Sequence, residues 1–150
     1  MFDTLLLALD GSEHGDRALD AAVEMSKVGL VDIVHLVHVI PPRAPEMVTV
    51  TDAYQDVEHA YVATLDYEKS VGYEMLGEAA RTLKVTGFDR VEEHVLVGDP
   101  AKRIIELAKQ IDADLIVLGR RGLGGFSGML LGSVTRKVEH AATCPVLTVV

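Results

Sequence analysis

The chain has a single cysteine, no tryptophan and three scattered phenylalanines, and each shortage closes off a class of architecture or partner. One thiol, Cys144, cannot build an internal disulfide framework, and Asp3 stands where a secretory leader would be basic, so the expected compartment is the cytoplasm. Positive charge is also scarce. With 14 basic against 23 acidic side chains the formal net charge is −9, which repels a phosphate backbone. No Lys/Arg run reaches five residues and no aromatic cluster offers a stacking platform, so nucleic acid is not an expected partner. Long apolar runs are missing too: Leu5–Leu9 and Ile33–Ile40 fall far short of the ~20 residues a membrane helix needs, so no membrane is expected.

What is present is an ordinary globular balance, 49% hydrophobic and 25% charged over 150 residues, which suits one domain spanning 1–150 with one core. Leu5-Leu6-Leu7-Ala8-Leu9 is a continuous apolar run stopped by Asp10-Gly11-Ser12, the mark of a strand buried on both faces. Ser12 then caps a helix whose apolar positions Ala18, Leu19, Ala22, Val23 and Val28 run on to Gly29. Val31–Ile40, rich in β-branched residues and closed by Pro41-Pro42, is a second strand.

From about Thr51 to Thr86 there is no proline, and Val57, Tyr61, Leu65, Val71, Met75, Ala79 and Leu83 keep near-helical spacing, interrupted by Gly72 and Gly77. Val91–Val97 is a third strand, followed by Gly98-Asp99-Pro100, which supplies a turn, an N-cap and a proline at the first helical position of a helix to about Ile111. Leu115–Leu118 is a fourth strand, Ser133–Ala142 a helix, and Val146–Val150 a fifth strand. Regular alternation of strand and helix predicts an α/β fold, a doubly wound, open, five-stranded parallel sheet with helices on both faces. Ligands of such sheets sit beyond the carboxyl ends of the strands, where Asp10, Val39 and Gly119 all fall.

The segment Gly119–Ser133 holds six glycines in fifteen residues. Glycine lets main-chain N–H groups approach an anion, and the segment runs into a helix start, whose orphan N–H groups favour negative charge. Ser133 adds a hydroxyl. The alternative is that Gly132-Ser133 only turns and caps a helix while the other glycines form a surface loop. Neither a Gly-Lys-Ser/Thr phosphate loop nor a Gly-x-Gly-x-x-Gly after the first strand is present.

Gly119-x-x-Gly122, nine residues, then Gly132-Ser133 follows without a gap the Gly-x2-Gly-x9-Gly-Ser/Thr pattern, and in this the chain resembles the ATP-binding universal stress proteins. The resemblance extends to Leu9-Asp10-Gly11-Ser12, His38-Val39, Gly98-Asp99-Pro100 and Cys144-Pro145-Val146-Leu147, and so covers the whole chain. It implies a Rossmann-like fold related to the adenine nucleotide alpha hydrolases. It further implies that Asp10 touches the ribose or adenine side, that Val39 presents backbone groups to the adenine edge, and that Gly119, Gly122, Gly132 and Ser133 hold phosphates. Arg120 and Val134 complete that binding set. The implied cofactor is ATP or another adenine nucleotide, with Mg²⁺ or Mn²⁺ bridging the phosphates. The implied assembly is a homodimer through Val146–Val150, an apolar run that would otherwise leave a bare sheet edge.

Other chemistry finds less support. Arg120 and Arg121 could reach a phosphate or simply be solvated. His35 and His38 lie an odd number of residues apart, on opposite faces of a strand, and cannot share an ion there; the remaining histidines are widely separated, with surface positions expected for most. Cys144 reads as an inert, partly buried thiol. Phe126, Met129, Leu130 and Leu131 could form a lid or a partner surface. No residue stands out as catalytic, so the expectation is a nucleotide-dependent stress or signalling module, with an unidentified protein partner and at most slow ATP hydrolysis. The rivals are a hydrolase or nucleotidyl transferase on the same fold, and a scaffold that binds no nucleotide.

Overall fold

The computed structural model describes residues 1–43, 54–123 and 131–150. Its elements, in chain order, are β1 (Phe2–Ala8), α1 (Glu13–Lys27), β2 (Val31–Ile40), α2 (Tyr54–Val85), β3 (Val91–Val97), α3 (Pro100–Gln110), β4 (Leu115–Gly119), α4 (Ser133–Ala141) and β5 (Val146–Val149). All neighbouring strands are parallel, in the order β3-β2-β1-β4-β5. The chain winds outward from β1 through β2 to β3, then returns to the other side of β1, so the winding reverses between β1 and β4. The expected α/β fold is the fold found.

Reversal of direction with constant crossover hand places α1 and α2 on one face and α3 and α4 on the other. Two apolar layers result. Leu5, Leu7, Val34, Leu36 and Val117 pack with Ala18, Ala22, Leu76 and Leu83 on the first face. Leu6, Val37, Val39, Ile116 and Leu118 pack with Ile104, Leu107 and Val138 on the second. The continuous run in β1 is therefore apolar on both sides because both sides are covered.

Local signals act where they stand. Ser12 caps α1, its Oγ accepting from the Gly15 N–H at 3.2 Å. Gly29, with φ +69°, follows the helix end in the left-handed conformation that glycine tolerates. Asp99 caps α3 by accepting from the Lys102 N–H at 2.9 Å, and that bond, with Lys137 nearby, holds its carboxyl below the usual range. Burial, with Asp114 nearby, pushes the Cys144 thiol up, which agrees with an unreactive group. No helix among the described residues is long and apolar enough to cross a membrane.

The structure sharpens three expectations. β1 begins at Phe2, before the apolar run, because its first residues still pair with β2. The near-helical spacing in α2 does not mark a buried stripe along its whole length: Tyr61 and Val71 are exposed, whereas Leu76, Ala79, Ala80 and Leu83 are buried. Among the described side chains of this 32-residue helix, the buried ones all fall in its C-terminal half, while Tyr61, Val62 and Tyr67 ahead of it are exposed. Residues Thr51–Ala53 lie outside the described residues. Finally, His94 is not a surface residue. It is half-buried, and its ring stacks on that of His35 across the β2/β3 pair, with centroids 5.2 Å apart.

The two glycines of α2 differ in kind. A Cβ on Gly72 would stand 3.0 Å from His38 Cδ2 and 3.3 Å from both methyls of Val95, so Gly72 lets the helix sit down on the sheet. On Gly77 a Cβ would meet nothing closer than an Arg81 nitrogen at 3.7 Å. Gly77→Ala should therefore raise stability by about 0.5–1 kcal/mol through helix propensity alone. Gly72→Ala should lower it by about 1 kcal/mol or more through overpacking. Urea midpoints that shift the same way for both variants would contradict this packing.

Candidate functional site

The reversal between β1 and β4 opens a crevice at their carboxyl ends, the place where parallel sheets leave room for ligands. A cleft of about 590 Å³ occupies it. Its floor comes from the ends of β1, β2 and β4, through Ala8, Leu9, Val37, Val39 and Leu118, and is mainly apolar. Pro41, Pro100 and Ile104 close one side, and Gly119, Arg121, Gly122 and Leu123 with Leu131, Gly132, Ser133, Val134 and Thr135 form the other.

Asp10 is the hub of the polar side. Its Oδ1 accepts from the Ser12 N–H at 3.0 Å and the Ser12 hydroxyl at 2.6 Å. Its Oδ2 accepts from the Leu123 N–H at 3.2 Å, so the residue is at once a turn former and a tie to the glycine segment. Ser12 Oγ also reaches the Arg121 carbonyl at 3.3 Å. A Cβ on Gly122 would come within 2.5 Å of Asp10 Oδ2, so only a bare backbone fits against this carboxylate. On the opposite side, His38 Nδ1 lies 2.9 Å from the Leu9 carbonyl, a contact in which the ring nitrogen donates.

Gly132 is the N-cap of α4 (φ −66°, ψ 155°), and no side chain forms a capping hydrogen bond there among the described residues. The first N–H groups of a helix have no intrahelical acceptor, so the start of α4 presents donors toward the cleft that Ser133 and Val134 line. The Gly132 N–H itself donates to the Arg120 carbonyl at 2.8 Å, and buried Thr135 donates its hydroxyl to the Gly119 carbonyl at 2.9 Å. These two bonds lock the helix start onto the end of β4.

Of the residues singled out from sequence, Asp10, Val39, Gly119, Gly122, Gly132, Ser133 and Val134 come together around this cleft. Arg120 does not. Its N–H donates to the Val149 carbonyl of β5 at 2.7 Å and its carbonyl serves Gly132, so its backbone closes the sheet rather than the cleft. Arg121 is the arginine that lines the cavity, and its buried Nε has no acceptor among the described residues. Gly119 also meets a steric demand, since a Cβ there would stand 2.6–2.7 Å from the backbone and Cβ of His14 in α1. Thr135 and Pro100 line the cleft without having been expected to. For Thr135 the signal is its place two residues after Ser133, within the first turn of the helix. The expected lid residues Phe126, Met129 and Leu130 lie outside the described residues, while Leu131 lines the cleft.

Comparison with known proteins gives a consistent picture. The sequence model described as the universal stress protein family matches residues 1–150. Universal stress protein YxiE of Bacillus subtilis is 34% identical over 149 residues, 99% of each chain. Among solved structures, that of the hypothetical protein MJ0577 superimposes with a TM-score of 0.84 at 26% identity, covering 99% of this chain and 96% of that one. A universal stress protein in complex with cAMP has a TM-score of 0.68 at 28% identity, covering 99% and 96%. One from Archaeoglobus fulgidus in complex with dAMP has 0.63 at 26%, covering 100% and 98%.

The contact between α1 and the end of β4 allows a direct check. Gly119→Ala should lower stability by about 1–3 kcal/mol, because the methyl meets helix backbone that cannot step aside. A parent-like urea midpoint for this variant would mean that α1 is not pinned there.

Proposed function

The chain belongs to the universal stress protein family, and from that premise we propose that the cleft between β1 and β4 binds ATP or another adenine nucleotide. The observation that carries the reading is the bare main chain of Gly122 and Gly132 beside the start of α4. There the first N–H groups of α4, which have no intrahelical acceptor, stand at the edge of an apolar pocket that Ser133 and Val134 line. The two family structures in complex with cAMP and dAMP support an adenine nucleotide as the ligand class.

The residues suit such a ligand part by part. Val37, Val39 and Leu118 would pack on the base, and the main chain at Val39 would meet its polar edge. Asp10 has acceptor capacity left beyond its present bonds for a ribose hydroxyl. The N–H groups at the start of α4, the Ser133 hydroxyl and the Arg121 guanidinium, whose buried Nε has no acceptor among the described residues, would take the phosphates. A divalent ion, Mg²⁺ or Mn²⁺, would be held mainly by phosphate oxygens, since Asp10, the one carboxylate lining the cleft among the described residues, already accepts from Ser12 and Leu123.

In this reading the protein is a cytoplasmic, nucleotide-dependent stress or signalling module that needs no catalytic step. Occupancy acts on the segment between Gly122 and Gly132, and through it on a protein partner. It works as a homodimer: β5 is an edge strand with Leu147 exposed, and pairing Val146–Val150 with a second copy would cover that edge. Light scattering across micromolar concentrations should give twice the chain mass, and a monomer mass throughout would remove the dimer from the model.

Calorimetric titration with ATP, ADP, AMP and cAMP, with and without Mg²⁺, tests the site itself. In the double variant Gly122→Val, Gly132→Val, ATP affinity should fall by about tenfold or more. Hydrogen bonds to a charged group are worth about 1.5–3 kcal/mol, and 1.4 kcal/mol is a factor of ten. Parent-like ATP affinity in a variant that keeps its fold by circular dichroism would refute the loop as the binding element.

A further inference from the structure

A second cluster of chemically competent side chains lies on the edge of the sheet, on β2 and β3. His35 projects from β2 on the face that carries Val37 and Val39, and it is 7% exposed. Parallel pairing puts Glu92 of β3 in register with His35, and His94 follows two residues on, on the same face. The three ligand-type atoms that result all lie within 4.8 Å of one another. His35 Nδ1 is 3.0 Å from His94 Nε2 and 3.5 Å from Glu92 Oε2.

From this geometry we propose that His35, Glu92 and His94 form a binding site for a borderline divalent transition metal, of which Zn²⁺ is the type. Zinc takes imidazole nitrogen and carboxylate oxygen at about 2.0–2.1 Å, which sets tetrahedral donors about 3.3 Å apart. The two separations from His35 Nδ1, 3.0 and 3.5 Å, bracket that spacing, and the third pair lies within 4.8 Å. Two imidazoles and one carboxylate select zinc, nickel or copper over magnesium or calcium, which prefer all-oxygen sets. Three protein ligands leave a further position for water or a small ligand.

Two other features agree with this assignment. Burial holds both imidazoles below their ordinary pKa against the opposing pull of Glu92, which favours the neutral form that ligates. The close nitrogen pair is a hydrogen bond in which one ring must donate to the other. On metal binding the donating ring shifts its proton to its other nitrogen, and both lone pairs then face the ion. No net proton is released. The partner of His35 is thus a histidine 59 residues away, brought close by strand pairing.

The test uses the full chain, stripped with a chelator, free of nucleotide and titrated with ZnCl₂. Calorimetry should give one zinc per chain, and the NMR ring signals of His35 and His94 should shift while those of His14, His38, His59 and His140 stay in place. His94→Gln and Glu92→Gln change side chains at the sheet edge, and each should weaken binding by about tenfold or more, as losses around metal centres commonly do. Absence of binding, or binding that leaves the His35 and His94 signals unmoved, would overturn the assignment. Parent-like zinc affinity in His94→Gln would do so equally.

Discussion

The cleft depends on one steric condition: the backbone of α1 must come to rest on the end of β4 with no side chain between them. Gly119 meets that condition, because any Cβ there would overlap the backbone of His14. With the helix so close, the turn after β1 places Asp10 against the residues after β4, although they are more than 100 positions apart in the chain. Gly122 repeats the condition one step further out, against the Asp10 carboxylate. The apolar floor, residues Gly119–Leu123 and the start of α4 converge because these two backbone approaches are allowed.

Those approaches show why the glycines of a nucleotide-type loop need not all serve the ligand. Gly119 answers to α1, Gly132 to Arg120 and to the cap of α4, and Gly122 to Asp10. A pattern with fixed spacing can therefore be demanded by the fold and used by the ligand at once. The strongly acidic balance of the chain points the same way: at a formal charge of −9 the overall field does not attract phosphate, so attraction has to come from donors within a few ångströms. In the proposed binding mode, main-chain N–H groups and Arg121 would be such donors.

The parts of the fold legible in the sequence are those specified by neighbours along the chain. Asp-Gly-Ser after β1, Gly29 after α1 and Asp99-Pro100 before α3 act locally, and each sits in the structure where its chemistry requires. What the sequence hides depends on pairings between distant residues. An odd spacing correctly separates His35 from His38, yet it says nothing of His94, whose proximity exists only once β2 and β3 are adjacent and in register. Arg120 and Arg121 are equivalent as text; the last rung of the sheet, Arg120 to Val149, decides which one faces the cleft. In α2 the apolar period is real, but length hides how much of the helix has a sheet beneath it.

The polar side of the cleft is already bonded to itself, and this shapes what any ligand can gain there. Asp10 accepts from the Leu123 N–H and from both the N–H and the hydroxyl of Ser12. A ligand hydroxyl that engages Asp10 adds to or replaces these bonds, so its net worth is a difference between hydrogen bonds and not a full one. Donors without such a partner among the described residues, the Arg121 Nε for one, carry no such deduction. For the proposed nucleotide, affinity would accordingly rest on the donors at the start of α4 and the apolar floor, while Asp10 would contribute mainly by holding Gly122 and Leu123 in place.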